Sequence, residues 1–229
     1  MKKGLFLAFE GIDGSGKSTQ IQLLNERLEQ QGHRVLQTCE PSPGPIGSQL
    51  RQILTGRMKA DSRVIAALFA ADRLDHLLNE VNGIASRVEE GVTVLTDRYY
   101  FSSYAYHSVD VPMDWVMAAN AESRKVLKPD LNIFLDLDAD TAMERIARSR
   151  FQQELFERKS LLEKIRSNYF KAFEHFKDSE RILIVDGKKT PEEIAQIIWN
   201  EVKGLSGLEQ NERMDGVLTE EKEIWERAD

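Results

Sequence analysis

Four residues, Gly11, Gly16, Lys17 and Ser18, have the spacing G-x-x-x-x-G-K-[ST] of a phosphate-binding loop. Gly11, Gly14 and Gly16 let the backbone take positive φ and come close to an anion. The amides of such a loop, with the N-terminus of the helix after it, make a cradle for phosphate. Lys17 would reach the β- and γ-phosphates of a nucleoside triphosphate, and the Ser18 hydroxyl would ligate Mg²⁺. A second carboxylate has a place in this chemistry. Asp97 closes an apolar run, Val92 to Thr96, and can position Mg²⁺ or its water shell. These residues point to a triphosphate and leave the reaction open.

The plain alternative is a glycine turn between a strand and a helix, and the flanks argue against it. Leu5 to Phe9 is a short apolar run that reads as a buried strand. Ile21, Leu24 and Leu28 follow at helical spacing until Gln31-Gly32 stops the helix. Further strands are expected at 34–37, 92–96, 131–137 and 181–185. Helices are expected at 46–55, 62–88 (one long segment), 102–107, 113–126, from about Thr141 with Asp138 as its cap, 157–176, and from Pro191 to about Val202. Pro41-Ser42-Pro43-Gly44-Pro45 fits neither a helix interior nor a central strand. Strand and helix alternate throughout. The expected fold is α/β: a five-stranded parallel sheet covered by helices on both faces, in three layers. Such topology sets the phosphate loop at the carboxyl edge of the sheet, where ligands bind.

Composition narrows the class. The chain has 229 residues and a net charge of −7, with 31 basic and 38 acidic residues. An acidic chain is a poor candidate for wrapping nucleic acid. No apolar run approaches the roughly 18 residues of a membrane span. Met1-Lys2-Lys3-Gly4 leads straight into the first strand, which leaves no space for a signal peptide's apolar core. Cys39 is the single cysteine, so no intrachain disulfide is expected and a reducing cytoplasm is the default. Residues 1–203 read as one domain. Residues 204–229 hold eight acids and three bases and read as an acidic tail or added helix.

Three classes of triphosphate protein compete. A GTPase switch should carry an N-K-x-D segment, and none is present. A mechanical ATPase usually needs a larger chain and a partner surface. A small phosphotransferase needs an acceptor pocket and a mobile cover that brings arginines to the phosphates. Arg148 and Arg150, at a break between two helical segments, suit such a cover over about 148–157. Phe69 and Arg73 share a helix face, although periodicity alone favours plain core packing for the first and a solvated face for the second.

Five segments carry a resemblance: Phe9–Thr19, E-P-x-x-G-P-I-G with Arg51 after it, Leu68–Arg73, Asp97–Tyr106 and Lys128–Asp136. Together, in register over about residues 5–202, they resemble the thymidylate kinase family. That family transfers the γ-phosphoryl of ATP to thymidine 5′-monophosphate (dTMP) with Mg²⁺. The resemblance implies that Gly11, Ile12, Asp13, Gly14, Ser15, Gly16, Lys17, Ser18 and Thr19 bind ATP. Phe69 would stack on the pyrimidine and Arg73 would donate to its edge, with His107 near the base. Arg51 and Arg98 would hold the monophosphate. Asp13 would orient Arg98 and the sugar hydroxyl region. Ser103 and Tyr106 would line the pocket and help exclude a ribose 2′-hydroxyl. Lys17, Arg98, Asp13 and an arginine of the cover would act in catalysis, and Ser18 and Asp97 would serve the metal. The family places its helper arginine in the phosphate loop or in the cover. Gly14 occupies the loop position here, so the cover is expected to supply it, with Arg150 first and Arg148 second. Cys39 stands where many relatives have arginine, and His107 where many bacterial relatives have glutamine. A homodimer, through helices such as 62–88, is also implied.

Overall fold

The computed structural model describes residues 3–149 and 158–205. Five strands, β1 (Phe6–Glu10), β2 (Val35–Cys39), β3 (Thr93–Asp97), β4 (Leu131–Asp136) and β5 (Ile182–Asp186), form one parallel sheet in the order β2-β3-β1-β4-β5. The helices are α1 (Lys17–Gln30), α2 (Pro45–Leu54), α3 (Ser62–Leu78), α4 (Ile84–Glu89), α5 (Tyr100–His107), α6 (Met113–Ala119), α7 (Ala121–Val126), α8 (Ala139–Ser149), α9 (Lys159–Phe176) and α10 (Pro191–Val202). The expected three-layer α/β architecture is what the chain adopts.

Successive residues of a strand point to opposite faces, and β1 shows why this sheet needs helices on both. Phe6 and Ala8 join a core with Phe101, Tyr104, Tyr169 and Phe173 of α5 and α9. Leu7 and Phe9 join another with Ile21, Leu24 and Leu28 of α1 and with Ile194, Ile198 and Trp199 of α10. A five-residue strand buried along its whole length is thereby clamped in the centre of the sheet. Its carboxyl end lies between those of β3 and β4, and the phosphate loop leaves from that point.

Two expected helices are broken. The segment 62–88 is α3 and α4, separated by 79–83. Asn79 leaves the helix at ψ 127, and the Gly83 amide donates to Asn79 O at 2.8 Å. A side chain at Gly83 would place its Cβ 2.5 Å from Asn79 O, so the turn needs glycine. The apolar period hid the break because Leu77, Ile84 and Val88 all enter the same core. The segment 113–126 splits at Asn120, whose side chain is completely buried. Asp138 caps α8 as expected: its Oδ1 accepts from the Thr141 amide at 2.9 Å, and the helix starts at Ala139. The expected tail, residues 204–229, lies outside the described residues from 206 onward.

α8 packs directly on the phosphate loop. Gly14 has φ 77, and a Cβ there would sit 2.8 Å from Ala142 O and 3.2 Å from Ile146 Cγ1. The neighbouring helix therefore leaves no space for a side chain at this loop position, and an arginine has no place in it. We expect Gly14→Ala to lower stability by about 1–3 kcal/mol, from left-handed backbone strain together with the contact on α8. Urea denaturation checks this, and an unchanged midpoint would show that α8 yields freely.

Candidate active site

The phosphate loop has the backbone its glycines promise, with φ 146 at Gly11, 77 at Gly14 and 98 at Gly16. α1 starts at Lys17, so the loop amides and the helix N-terminus face the same space. Lys17 is buried, and its Nζ bends back to donate to Gly11 O at 3.3 Å and Ile12 O at 3.4 Å. Burial and the charge of Arg98 lower the Lys17 pKa, while Asp97, Asp13 and Glu10 oppose that shift. The ammonium is thus held without a close ion pair, the nearest carboxylate oxygen being Asp97 Oδ1 at 3.8 Å.

Asp97, at the end of β3, fits a magnesium role. Its Oδ2 accepts from the Ser18 hydroxyl at 3.3 Å. Its Oδ1 is buried with no hydrogen-bond partner, and an orphaned buried oxygen calls for a ligand. Mg²⁺ prefers oxygen donors and is usually held by one or two protein groups together with substrate phosphates. Ser18 and Asp97 match that donor set. Among the described residues, no group of three or more His, Cys, Asp or Glu side chains is placed to hold a metal by itself.

A cavity of about 540 Å³ joins this loop to a second wall. Gly14, Gly16, Lys17 and Ser18 line one end, and Phe69, Arg73, Ser103, Tyr106 and His107 line the other. Phe69 is half-buried, and its ring centroid lies 4.8 Å from that of His107 at an interplanar angle of 48°. Burial, then the charge of Arg73, pushes the His107 pKa down to about 3. His107 is therefore neutral at physiological pH and offers one donor and one acceptor nitrogen.

Arg73 does not face solvent, as periodicity alone favoured; it is 1% exposed. Each of its five N–H groups has a protein partner. Nε donates to Glu40 Oε2 at 2.9 Å, Nη1 to Ser103 Oγ at 3.0 Å and to Asn120 Oδ1, and Nη2 to Tyr99 O at 3.2 Å and to Glu40. An incoming base would have to compete with Ser103 and Asn120 for the Nη1 protons.

Arg98 ties the two ends together. It occupies left-handed backbone, φ 77, rare for a residue with a Cβ. Nη2 donates to Asp13 Oδ1 at 2.6 Å and to the Tyr106 hydroxyl at 2.9 Å, and that hydroxyl donates to Asp13 Oδ2 at 3.0 Å. Nη1 donates to Gly11 O and to Ser102 Oγ, both at 3.1 Å. Burial acts to raise the Asp13 pKa, but the charges of Arg98 and Lys17 and the two hydrogen bonds outweigh it, so the carboxyl stays ionised.

The other expected residues are placed less simply. Arg51 is not part of the cavity lining: Nη1 donates to Ser42 O at 2.5 Å and Pro41 O at 3.2 Å, and Nη2 to Ser48 Oγ at 2.9 Å. Arg148 is exposed, 4.0 Å from Glu144, and does not line the cavity. Arg150 and the cover beyond it lie outside the described residues. Arg145 does line the cavity, with Nη2 on Gly187 O at 2.9 Å. Sequence reasoning gave no role to Glu10, Glu40 and Asp72, although each lies in a segment that carries the resemblance, and it did not mark Asn120. All four are at most 5% exposed. Asp72 shapes the proline segment, accepting from Ser42 N at 2.7 Å and Ser42 Oγ at 2.6 Å.

Comparison with known proteins agrees with the geometry. The family model described as thymidylate kinase matches residues 9–198. A probable thymidylate kinase of Pyrobaculum aerophilum is 40% identical over 200 residues, covering 86% of this chain and 96% of the relative. A probable thymidylate kinase of Methanocaldococcus jannaschii is 34% identical over 206 residues, covering 90% and 99%. A thymidylate kinase of Shouchella clausii is 32% identical over 215 residues, covering 90% and 97%. With a cavity that joins a triphosphate loop to a base-sized wall, and with matches over most of its length, the chain belongs to the thymidylate kinase family.

Proposed function

We propose that this chain is a phosphotransferase that moves the γ-phosphoryl of ATP to thymidine 5′-monophosphate, giving dTDP and ADP. The observation that carries this reading is one cavity in which Asp13 of the phosphate loop, Arg98 of the turn after β3 and Tyr106 of α5 form one hydrogen-bonded triangle. A donor bound at the loop and an acceptor bound against Arg98 would meet there.

In this reading the acceptor base lies against Phe69, an aromatic face suited to a pyrimidine face. His107, Ser103 and Arg73 line its edge. The acceptor phosphate sits at Arg98, whose planar fork matches phosphate oxygens. Tyr106 and Ser103 close the sugar side against a 2′-hydroxyl. Arg51 would turn from the carbonyls of Pro41 and Ser42 to reach the phosphate. An oxygen of the acceptor phosphate attacks the γ-phosphorus while the bond to the β-phosphate oxygen breaks. The protein supplies position and charge for this step and little covalent chemistry. Lys17 follows the transferring group, and an arginine of the cover, Arg150 ahead of Arg148, completes the charge. Mg²⁺ at Ser18 and Asp97 supplies neutralisation of the β- and γ-phosphates when bound.

A homodimer fits the exposed Val64 and Leu78 of α3. They lie fourteen positions apart, about four helical turns, and so share a face. The cytoplasm is the compartment we assign, consistent with a lone exposed thiol at Cys39. Among the described residues, no helix is long and apolar enough to cross a membrane.

Coupled ADP release with ATP and a panel of nucleoside monophosphates tests the reaction. dTMP should turn over best. Preference for another monophosphate would reassign the acceptor, and tight binding without ADP release would make the chain a nucleotide-binding regulator. Arg150→Ala should lower kcat on the order of 10²-fold or more, as expected for a charge-stabilising arginine; an unchanged kcat would remove Arg150 from the chemistry.

A further inference from the structure

Glu10 is the last residue of β1 and is fully buried, yet no role above uses it. Its carboxylate collects four donors. Oε1 accepts from the amides of Tyr99 at 3.0 Å and Ser102 at 3.2 Å. Oε2 accepts from the Ser102 hydroxyl at 2.5 Å and the Tyr169 hydroxyl at 2.9 Å. A carboxylate with only a structural role would need no more. This arrangement continues, because Ser102 Oγ also accepts from Arg98 Nη1 at 3.1 Å. The result is a one-way chain, Arg98 to Ser102 to Glu10, running from the cavity wall into the core. The same Nη1 donates to Gly11 O, and the Gly11 amide approaches Tyr169 Oη at 3.5 Å, so the phosphate loop rests on the same cluster.

The direction of that chain depends on the charge of Glu10. The ionised carboxylate accepts the hydrogen bond of the Ser102 hydroxyl, which keeps an Oγ lone pair facing Arg98. A protonated Glu10 must itself donate, to Ser102 Oγ or to Tyr169 Oη. The Ser102 proton then turns to Tyr169 Oη, 2.8 Å away, and Oγ, no longer polarised by an anionic carboxylate, becomes a weaker acceptor for Arg98. Arg98 already sits in left-handed backbone and depends on such contacts for its direction.

We propose that Glu10 is a positioning residue: its carboxylate orients the Ser102 hydroxyl, and through it aims Arg98 at the acceptor phosphate. The inference rests on the acceptor site described under the proposed function. Burial pushes the Glu10 pKa up to about 7, against the Ser102 hydrogen bond, the charge of Arg98 and the Tyr169 hydrogen bond. The titratable and charged groups facing it are Arg98 from the turn after β3, Tyr169 from α9, Tyr104 from α5, Arg73 from α3 and Lys17 from α1. Glu10 therefore changes charge in the range where a cytoplasmic enzyme works, and the aim of Arg98 weakens as pH falls.

The pH profile of kcat/KM for dTMP in the wild type, Glu10→Gln and Tyr169→Phe tests this. A phosphomonoester has its own second ionisation at about 6. The wild type should show an acid limb near the Glu10 value of about 7. Glu10→Gln should move that limb down to the substrate's, and lower kcat about tenfold with KM for ATP kept within about twofold. Tyr169→Phe removes a donor that favours the ionised form, so its limb should move to higher pH. A limb that stays at the wild-type position in Glu10→Gln overturns the proposal. If that variant does not fold, an unmoved limb in Tyr169→Phe does so instead. The NMR resonance of the Arg98 guanidinium, read without nucleotide, reports the same link in the absence of turnover. It should titrate with the Glu10 midpoint in the wild type; a resonance insensitive to pH across that range overturns the proposal. A wild type that shows this titration but phosphorylates no monophosphate would defeat the functional reading and leave the link between Glu10 and Arg98 standing.

Discussion

The site depends on holding one largely buried positive charge, that of Arg98, aimed at a phosphate position. A buried guanidinium is tolerated only when its donors are satisfied and its charge is answered. Asp13 answers the charge at 2.6 Å, and the hydroxyl of Tyr106, the carbonyl of Gly11 and the hydroxyl of Ser102 take the remaining directed contacts. Those partners come from the phosphate loop and from α5. Satisfying one arginine therefore fixes the donor half of the site against the acceptor half. The short, fully buried β1 makes this possible, because it holds the loop and the end of β3 in register, Phe9 against Asp97.

Arg73 repeats the same solution with deeper burial. It carries a second buried guanidinium, answered by Glu40 at the end of β2 and by Ser103, Asn120 and the Tyr99 carbonyl. The break between α6 and α7 serves this network, since it presents Asn120 to the arginine. Glu40 in turn leads into the proline segment, whose Ser42 is gripped by Asp72, one residue from Arg73 on α3. The acceptor wall is thus built from polar residues that are rigid because each is satisfied. His107, neutral and beside Phe69, is the contrasting element: it lines the cavity with one donor and one acceptor nitrogen.

Much of this was legible in the sequence. Apolar period and turn residues located all five strands: β1, β3 and β4 are nearly continuous buried runs, and the half-exposed edge strands β2 and β5 are short apolar runs bounded by turn residues. The phosphate loop was legible because its glycines are required by backbone geometry. The break at 79–83 was not, since Leu77, Ile84 and Val88 continue one apolar face across the turn. Arg73 read as a solvated face because its partners, Glu40, Ser103 and Asn120, come from three other segments that no local period reveals. Glu10 and Asn120 were hidden for the same reason: a buried polar residue is explained only by what the fold brings to it. Gly14 shows the opposite case. The sequence marked it as the missing arginine, and the structure adds the cause, a helix packed against the position where its side chain would start.

The central claim is that Asp13 and Arg98 act as one unit that joins the two halves of the site. A double-mutant cycle on kcat/KM for dTMP, with Asp13→Asn, Arg98→Met and the pair, tests it most directly. Residues in direct contact within one network show interaction energies of about 0.5–3 kcal/mol. The account predicts a coupling at the upper end of that range, with the second substitution adding little once the first is made. Independent, additive losses would contradict it and would separate the phosphate loop from the acceptor wall.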